Sequence, residues 1–380
     1  MIRFEEHHQE IREMISDFSD EKIAPGAEHL DETQGLPKES IAEIAELEML
    51  GLTIPEEHGG AGLDLLSACL VVEEISRNCG STGAILSTHL FEGTSAILRL
   101  ADDAGKERWL PDMASGKTLA TFALAEREAE SDASAIDASA GAEGDGFVIH
   151  GRKTWIMGGM MAGLTTVIAR RGEENLEDLG AFVIDPEVEG CEREPMEDLL
   201  GLRGAGFCNM NLNGVMMSAD QHLKGSSEGW SAITKVIDTA RLGAAAVSLG
   251  VARGAIAHAL EYSSQRKAFG RSIDRFGAIR AMHAEAATAV EGARLLLWRA
   301  AGLIDAGKSA GREVSMANLA AKQASYKATR DAVQILGGNG YSREYPVERA
   351  YRDVQALVPF GGGEDLQKIL VARSMAGVRS

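Results

Sequence analysis

The chain has 380 residues, enough for two or three domains around a large core. Hydrophobic residues make up 45% and charged residues 25%, the balance of a soluble globular protein. Asp and Glu (57) outnumber Lys and Arg (38), and the net charge of −19 argues against nucleic acid as a partner, because phosphate backbones need a basic face.

From residue 1 to about 115, apolar residues recur at three- and four-residue spacing in Ile41–Leu50, Leu65–Ile75 and Ile97–Met113, which predicts helices. Pro37 and the run Gly59-Gly60-Ala61-Gly62 punctuate them. From about 116 to 227 the pattern changes. A turn at Gly144-Asp145-Gly146 precedes Phe147–His150, and the runs Leu164–Ala169 and Ala181–Ile184 read as further strands of a β domain with hairpins. From 228 onward the chain is rich in Ala and Leu. Long helices are expected at 230–264, 275–306 and 312–337, with a shorter one from Glu364 to Ala376, and short connections between them suggest a bundle. The expected fold is α+β: an N-terminal helical domain (1–115), a middle β-barrel or sandwich (116–227) and a C-terminal four-helix bundle (228–380).

The stretch Met1–Glu6 is acidic and amphipathic and lacks the apolar run of a signal peptide, so a cytoplasmic location is expected. The most apolar helix, near Arg241–Leu260, carries Arg241, Arg253 and His258 and reads as too polar for a membrane span. Cys69, Cys79, Cys191 and Cys208 form no C-x-x-C pair and read as reduced, buried thiols. The nine histidines show no metal-ligand spacing.

Five segments carry chemistry when taken together. They are Gly51-Leu52-Thr53-Ile54-Pro55-Glu56-Glu57-His58-Gly59-Gly60; Phe122-Ala123-Leu124-Ala125-Glu126 running on to Ser131-Asp132; Tyr262–Gly270 with Arg266 and Phe269; Gln334-Ile335-Leu336-Gly337-Gly338-Asn339-Gly340-Tyr341; and Arg352-Asp353 followed by Val358-Pro359-Phe360-Gly361-Gly362-Gly363-Glu364-Asp365-Leu366-Gln367. In order and spacing they resemble the acyl-CoA dehydrogenase family of flavoproteins over the whole chain. The resemblance implies FAD bound between the β domain and the C-terminal bundle across a subunit interface. It also implies an acyl-CoA substrate, an electron-transfer flavoprotein as acceptor, and a homotetramer or a heterotetramer with a paralogue.

The residue types agree at the dinucleotide end. Arg266 is a permanent cation suited to a pyrophosphate, Gln334 offers both donor and acceptor, and Gly337 and Gly338 let backbone amides approach a ligand closely. The bland alternative for Gly337–Gly340 is a helix C-cap. The resemblance places Phe122, Leu124, Ala125, Ser131, Trp155, Met157, Arg266, Phe269, Gln334, Gly337 and Gly338 at the cofactor, and Ser131, Asp238, Arg241 and Gly362 at the acyl-CoA. Read alone, Trp155 would be a core tryptophan, and Asp238 and Arg241 a solvated helix face.

The sequence departs from the family around the reacting groups. Where the family reads Y-E-G, with the glutamate as base, this chain has Phe360, Gly361 and Gly362. Ala240 stands where some members keep an alternative base, Ala125 and Met157 replace hydroxyl residues, and Arg127–Glu130 replaces a glycine loop, its acids Glu128 and Glu130 reading as solvent-facing. A base contributes roughly 10²–10⁴-fold to proton abstraction. Glycine cannot supply it, although the Gly361 amide retains a donor for the thioester carbonyl. Glu92, in Leu90-Phe91-Glu92-Gly93-Thr94-Ser95, is the first candidate for a relocated base; the plain alternative is an exposed helix glutamate. Members that make cyclic dienoyl thioesters keep an acid in this region, so the acyl group is expected to be cyclic or otherwise atypical. Glu364 is the second candidate. Asp365 reads as a helix-start charge. Two other functions stay open: a half-site or non-catalytic subunit needing a paralogue, and an oxidase or hydroxylase acting on a non-thioester. Gly225–Gly229 fits the G-x-S-x-G letters, but no acid and histidine follow in a suitable order.

Overall fold

A computed structural model describes residues 4–129, 132–172 and 176–377. The N-terminal helices are α1 (Glu6–Phe18), α2 (Ala27–Thr33), α3 (Lys38–Glu46), α4 (Leu65–Asn78), α5 (Gly80–Ser87), α6 (Thr94–Leu100) and α7 (Asp103–Ala114). The helix expected over Ile97–Met113 is in fact two. Ala101 is extended, and the Asp102 carboxylate accepts the Gly105 N–H at 3.0 Å, capping α7. The helix expected over Ile41–Leu50 ends early, because Glu48 takes a left-handed φ of 58°.

The middle domain is a seven-stranded sheet of β1 (Ala120–Ala123), β2 (Ser139–Glu143), β3 (Gly146–Ile156), β4 (Leu164–Arg170), β5 (Leu179–Ile184), β6 (Cys191–Pro195) and β7 (Cys208–Met217). Its order is β1-β4-β2-β3-β7-β6, with β5 also paired to β4. The expected Gly144-Asp145 hairpin joins β2 to β3, with Gly144 at φ 57°. Inside the domain, Lys153 Nζ meets Glu126 Oε1 at 2.6 Å, and Glu126 also accepts the N–H groups of Asp137 and Ala138. This buried pair ties the exit of β1 to β3.

The C-terminal helices are α8 (Trp230–Gln265), α9 (Gly277–Asp305), α10 (Gly311–Leu336), α11 (Pro346–Leu357) and α12 (Glu364–Met375). Helix α11 was not anticipated; Pro346 opens it at the first turn, where a missing N–H does no harm. Helix α8 is the central column. A Cβ on Gly250 would stand 2.3 Å from the Glu73 carbonyl oxygen, and one on Gly254 would stand 2.1 Å from that of Arg77. Glycine at these positions lets α4 cross α8 backbone to backbone. By length and mean hydropathy (1.3) α8 would suffice to cross a bilayer, so the reading of it as too polar understated its apolar character. Its burial decides the matter: 78% of the apolar window lies inside the protein, as in the core helix of a soluble fold.

Where α4 meets the bundle, Glu73 and Glu74 are 2% exposed. Glu73 accepts from Arg294 at 2.8 Å and from Arg253 at 3.0 Å, while Glu74 accepts from Arg253, Arg12 and Arg77. Removing one partner leaves the others buried and uncompensated. Glu73→Ala is therefore expected to lower stability by about 3–5 kcal/mol, read from urea unfolding; a loss below about 1 kcal/mol would show the network to be well hydrated.

Candidate active site

Residues 80–100 form one continuous helical path: α5, a π-helical turn over Thr88–Gly93, then α6. Such turns insert one residue into the helix and recur at functional sites. Gly93 lets this one lie against β1, since a Cβ there would stand 2.5 Å from Ala120 Cβ. His89 fixes the turn. Its Nδ1 accepts the Ala120 N–H at 3.1 Å and its Nε2 donates to the Leu50 carbonyl at 3.2 Å. Burial pushes the ring's pKa down to about 4, so it stays neutral. On α6, Ser95 Oγ lies 2.7 Å from Thr239 Oγ1 of α8, and Arg99 Nε donates to Ser95 Oγ at 3.0 Å.

Glu92 lies between His89 and Ser95. It is 4% exposed, and its carboxyl group has no hydrogen-bond or ion-pair partner among the described residues. Burial alone pushes its pKa up to about 8. The alternative of an exposed helix glutamate is therefore set aside.

A second turn, Phe360–Gly362, hangs from the same part of α8. Arg241 Nη1 donates to Asp238 Oδ1 at 2.9 Å, and its Nε donates to the Gly361 carbonyl at 2.9 Å. Burial raises the Asp238 pKa despite this partner. Asp238 and Arg241 are thus a mostly buried pair and not a solvated face. Lys322 Nζ, buried in α10, donates to the carbonyls of Phe360 (2.7 Å) and Gly362 (2.8 Å). Burial, and then the charge of Arg241, push this ammonium down to about 7. Gln367 Nε2 donates to the carbonyls of Gly361 and Gly362. Gly361 and Gly362 have φ of 70° and 91°, and a Cβ on Gly361 would meet Arg241 Cγ at 3.0 Å. At the family's position for the base, the backbone conformation here favours glycine.

Glu364, the second candidate, is held by Gln323 at 3.2 Å and Lys368 at 3.6 Å at the protein surface, which leaves Glu92 as the unpaired carboxyl. Arg352 and Asp353 are structural: Arg352 pairs with Asp31 and Glu348, and the buried Asp353 accepts the Leu202 N–H at 2.7 Å.

The cofactor residues fall into two groups. In the β domain, Trp155 is 49% exposed at φ 55°, with its ring edge-on to Phe207. The Leu124 carbonyl accepts from Lys153, and the Ala125 carbonyl accepts the Thr154 N–H. Phe122 and Met157 are buried, so their side chains present little surface, and the Met157 carbonyl accepts from Thr121. Ser131 and Glu130 lie outside the described residues; Glu128 does point to solvent. At the end of the bundle, Arg266, Phe269, Gln334, Gly337 and Gly338 are all exposed, Phe269 at 96%. Gly337, at φ 61°, caps α10, and nothing stands within 4 Å of a Cβ on Gly337 or Gly338. The Arg266 guanidinium has no acidic partner among the described residues. These donors fit the pyrophosphate and nucleotide end of FAD, and Trp155 offers an open aromatic face to its ring system. No hydrogen bond or ring contact joins the two groups among the described residues.

Sequence reasoning missed Lys322, Ser95 and Thr239. The available signal was Asn318 and Lys322, four residues apart on the stripe that also carries Ala317, Ala321 and Ala328. The serine of the G-x-S-x-G letters, Ser227, donates to the Lys224 carbonyl at 2.7 Å, three residues back in its own turn, and no histidine bonds it among the described residues. His7, His8 and Asp64 come close enough to hold a cation. However, His8 Nδ1 accepts the Glu5 N–H, so its Nε2 keeps its proton and donates to Asp64 at 3.0 Å. That nitrogen has no lone pair for a metal.

Family models match the chain in three consecutive parts: acyl-CoA dehydrogenase N-terminal domain over residues 5–117, middle domain over 121–215 and C-terminal domain over 227–376. The bovine mitochondrial short-chain specific acyl-CoA dehydrogenase is 35% identical over 98% of this chain and 90% of its own length. A 3-(aryl)acrylate reductase of Clostridium sporogenes is 34% identical over 98% and 99%. Among solved structures, butyryl-CoA dehydrogenase of Megasphaera elsdenii superposes with a TM-score of 0.95 at 29% identity, covering 99% of this chain and all of that one. A glutaryl-CoA dehydrogenase bound to glutaryl-CoA gives a TM-score of 0.96 at 31% identity, covering 100% and 97%. The chain belongs to the acyl-CoA dehydrogenase family, FAD-dependent oxidoreductases that act on the CH–CH bond of acyl-CoA.

Proposed function

We propose that this acyl-CoA dehydrogenase moves the substrate proton with Glu92 in place of a side chain at position 361. The observation that carries the reading is a buried carboxyl group without a partner, on a π turn held in place by His89 and by the Ser95–Thr239 contact. FAD, when bound, supplies the acceptor for the hydride that leaves one acyl carbon. Glu92 takes the proton from another carbon, and the electrons of that C–H bond form the new double bond. The Gly361 amide, which has no protein acceptor among the described residues, would donate to the thioester carbonyl. A base on the helix wall suits an acyl group whose acidic C–H lies away from the thioester, as in a ring or a conjugated chain.

Assembly as a tetramer through the C-terminal bundles would bring the exposed Arg266–Phe269 and Gln334–Gly338 set of one copy towards Trp155 of another. Two separated half-sites in one chain support that arrangement. A flavoprotein acceptor is supported by likeness to a chain solved in work on the electron transferring flavoprotein of Acidaminococcus fermentans (TM-score 0.95, 31% identity, 99% of each chain). A cytoplasmic location remains part of this proposal.

One observation also favours the reductive direction. With a pKa of about 8, Glu92 carries its proton at neutral pH and can give it to an enoyl thioester. The acrylate reductase relative is named for a reaction of that sense. Comparing flavin bleaching by acyl-CoA with oxidation of the reduced enzyme by enoyl-CoA ranks the two directions.

The purified chain is expected to hold FAD and to be bleached anaerobically by one class in a panel of linear and cyclic acyl-CoAs. Glu92→Gln should lower that rate on the order of 10²-fold or more; wild-type turnover in the variant would remove Glu92 from the chemistry. In the dehydrogenation direction, kcat/KM should rise as pH increases through about 8 and then level off, because only the deprotonated carboxyl accepts a proton. The same shift sets stability. Between the ordinary value of 4.5 and about 8, the folded state binds more protons than the unfolded state, so burial of Glu92 destabilises progressively as pH rises through that window. Glu92→Gln should therefore melt higher than wild type at pH 9 and match it at pH 4. Gly361→Glu should not raise activity and should lose about 1–2 kcal/mol of stability, since a left-handed φ is costly for a residue with a Cβ.

A further inference from the structure

Strands β1 and β3 are not neighbours in the sheet; β4 and β2 lie between them. The sheet nevertheless curls far enough for the end of β3 to bond the segment that leaves β1. The Thr154 N–H donates to the Ala125 carbonyl at 2.9 Å, and Lys153 Nζ donates to the Leu124 carbonyl at 3.1 Å and to Glu126 Oε1 at 2.6 Å. Glu126 brings in the entry to β2 as well: its Oε2 accepts the Asp137 N–H at 2.7 Å and its Oε1 the Ala138 N–H at 3.1 Å. Lys153 is 0% exposed and Glu126 6%. Charges so deeply buried persist only with their partners in place, so the geometry of the pair fixes that of the segments that carry it.

The same three residues of β3 break the rule of alternation. In a regular strand Lys153 and Trp155 would share one face, and Thr154 and Ile156 the other. Here Lys153 lies wholly inside, Trp155 is half exposed, and Ile156 lies inside again. The cause is a β-bulge. Lys153 stands opposite Met210 of β7 and Ile156 opposite Cys208, so Thr154 and Trp155 together face the single residue Asn209. Trp155 takes its left-handed φ of 55° at this point, a conformation that is costly for a residue with a Cβ. Thr154 Oγ1 is buried there without a hydrogen-bond partner among the described residues. A strained arrangement of this kind persists only where its surroundings over-determine it. The contacts that do so come from across the sheet: Lys153 and Thr154, the two residues before Trp155, are bonded to Leu124, Ala125 and Glu126.

We infer that Lys153 and Glu126 are positioning residues for the cofactor: their ion pair locks residues 153–155 onto residues 124–126, which holds the bulge and turns the Trp155 indole outward beside the Ala125 backbone as a fixed wall for the flavin ring. The inference rests on FAD as the cofactor and holds whichever group moves the substrate proton. It also gives the buried pair a purpose in this chain. Ala125 and Met157 carry no hydroxyl with which to hold the ring, so its placement falls to the backbone and to the indole. A binding wall keeps its geometry when the residues behind it are themselves locked by packing and hydrogen bonds, and Lys153 and Glu126 supply that lock from inside the sheet.

The test reads the separation of Trp155 from the flavin in the FAD-loaded enzyme, without substrate or turnover. An indole against an excited flavin quenches its emission by lending it an electron that then returns, and the rate falls steeply with distance. The flavin fluorescence lifetime therefore measures how closely Trp155 is held. The lifetime should be short in the wild type and long in Trp155→Phe. Lys153→Met and Glu126→Gln keep Trp155, yet they should lengthen the lifetime toward that of Trp155→Phe. Their FAD dissociation constants should rise on the order of 10-fold, as for one lost hydrogen bond. Glu126→Gln keeps the shape of the side chain and one acceptor oxygen, and it takes the place of Lys153→Met should that variant not fold. A lower melting temperature with wild-type lifetime and wild-type FAD affinity would show the pair to be a structural brace and would overturn the inference. An unchanged lifetime in Trp155→Phe would overturn it as well, because the indole would then lie away from the ring.

Discussion

One and a half turns of α8, from Asp238 to Gly243, hold both the helical path that carries Glu92 and the Gly361 turn. Thr239 meets Ser95 and fixes α6; Arg241 holds the Gly361 carbonyl; Gly243 lets the π turn approach so closely that a Cβ there would stand 2.9 Å from Phe91 Cβ. Glu92 and the Gly361 turn are therefore placed relative to each other by a single rigid helix, itself buried among α4, α9 and α10. A site carried on packed helices holds its geometry better than one carried on loops. The buried arginine network around Glu73 and Glu74 fixes the far half of the same column.

Burial then sets the chemistry. A carboxyl group and an ammonium are both moved toward neutrality, Glu92 up to about 8 and Lys322 down to about 7, chiefly because water is excluded. The two consequences differ. Glu92 has no partner among the described residues, so no protein group competes for its proton. Lys322 has carbonyl partners and holds the backbone of the Phe360–Gly362 turn. The family's arrangement puts the base on the turn; in the reading proposed here the base stands on the helix, at Glu92. Placing pKa values near the working pH is what acid–base catalysis requires.

Much of the architecture was legible in the sequence. Periodicities of three to four and of two separated helical, β and helical parts, and the Gly-Gly after Gln334 marked both a helix end and an open approach for a ligand. The replacement of the base by Gly361 was equally visible. The interior position of Glu92 was not, because the π turn adds a residue and shifts the face on which a helical count would place it. Lys322 was hidden for a related reason. A lysine in an Ala-rich helix reads as solvated, and only its four-residue spacing from Asn318 on the buried stripe marks it as interior. Left-handed φ at Gly361 and Gly362 is a property of the folded turn and is not written in the letters alone.

The central claim, that a buried and titrating Glu92 carboxyl group meets the substrate, is tested most directly by infrared difference spectra of the FAD-loaded enzyme against Glu92→Gln across pH, with and without bound acyl thioester. The account predicts a protonated-carboxyl band that is present in the wild type alone, disappears near pH 8 and changes when the thioester binds. A carboxyl group already ionised at pH 6, or one that titrates without responding to the ligand, would contradict it.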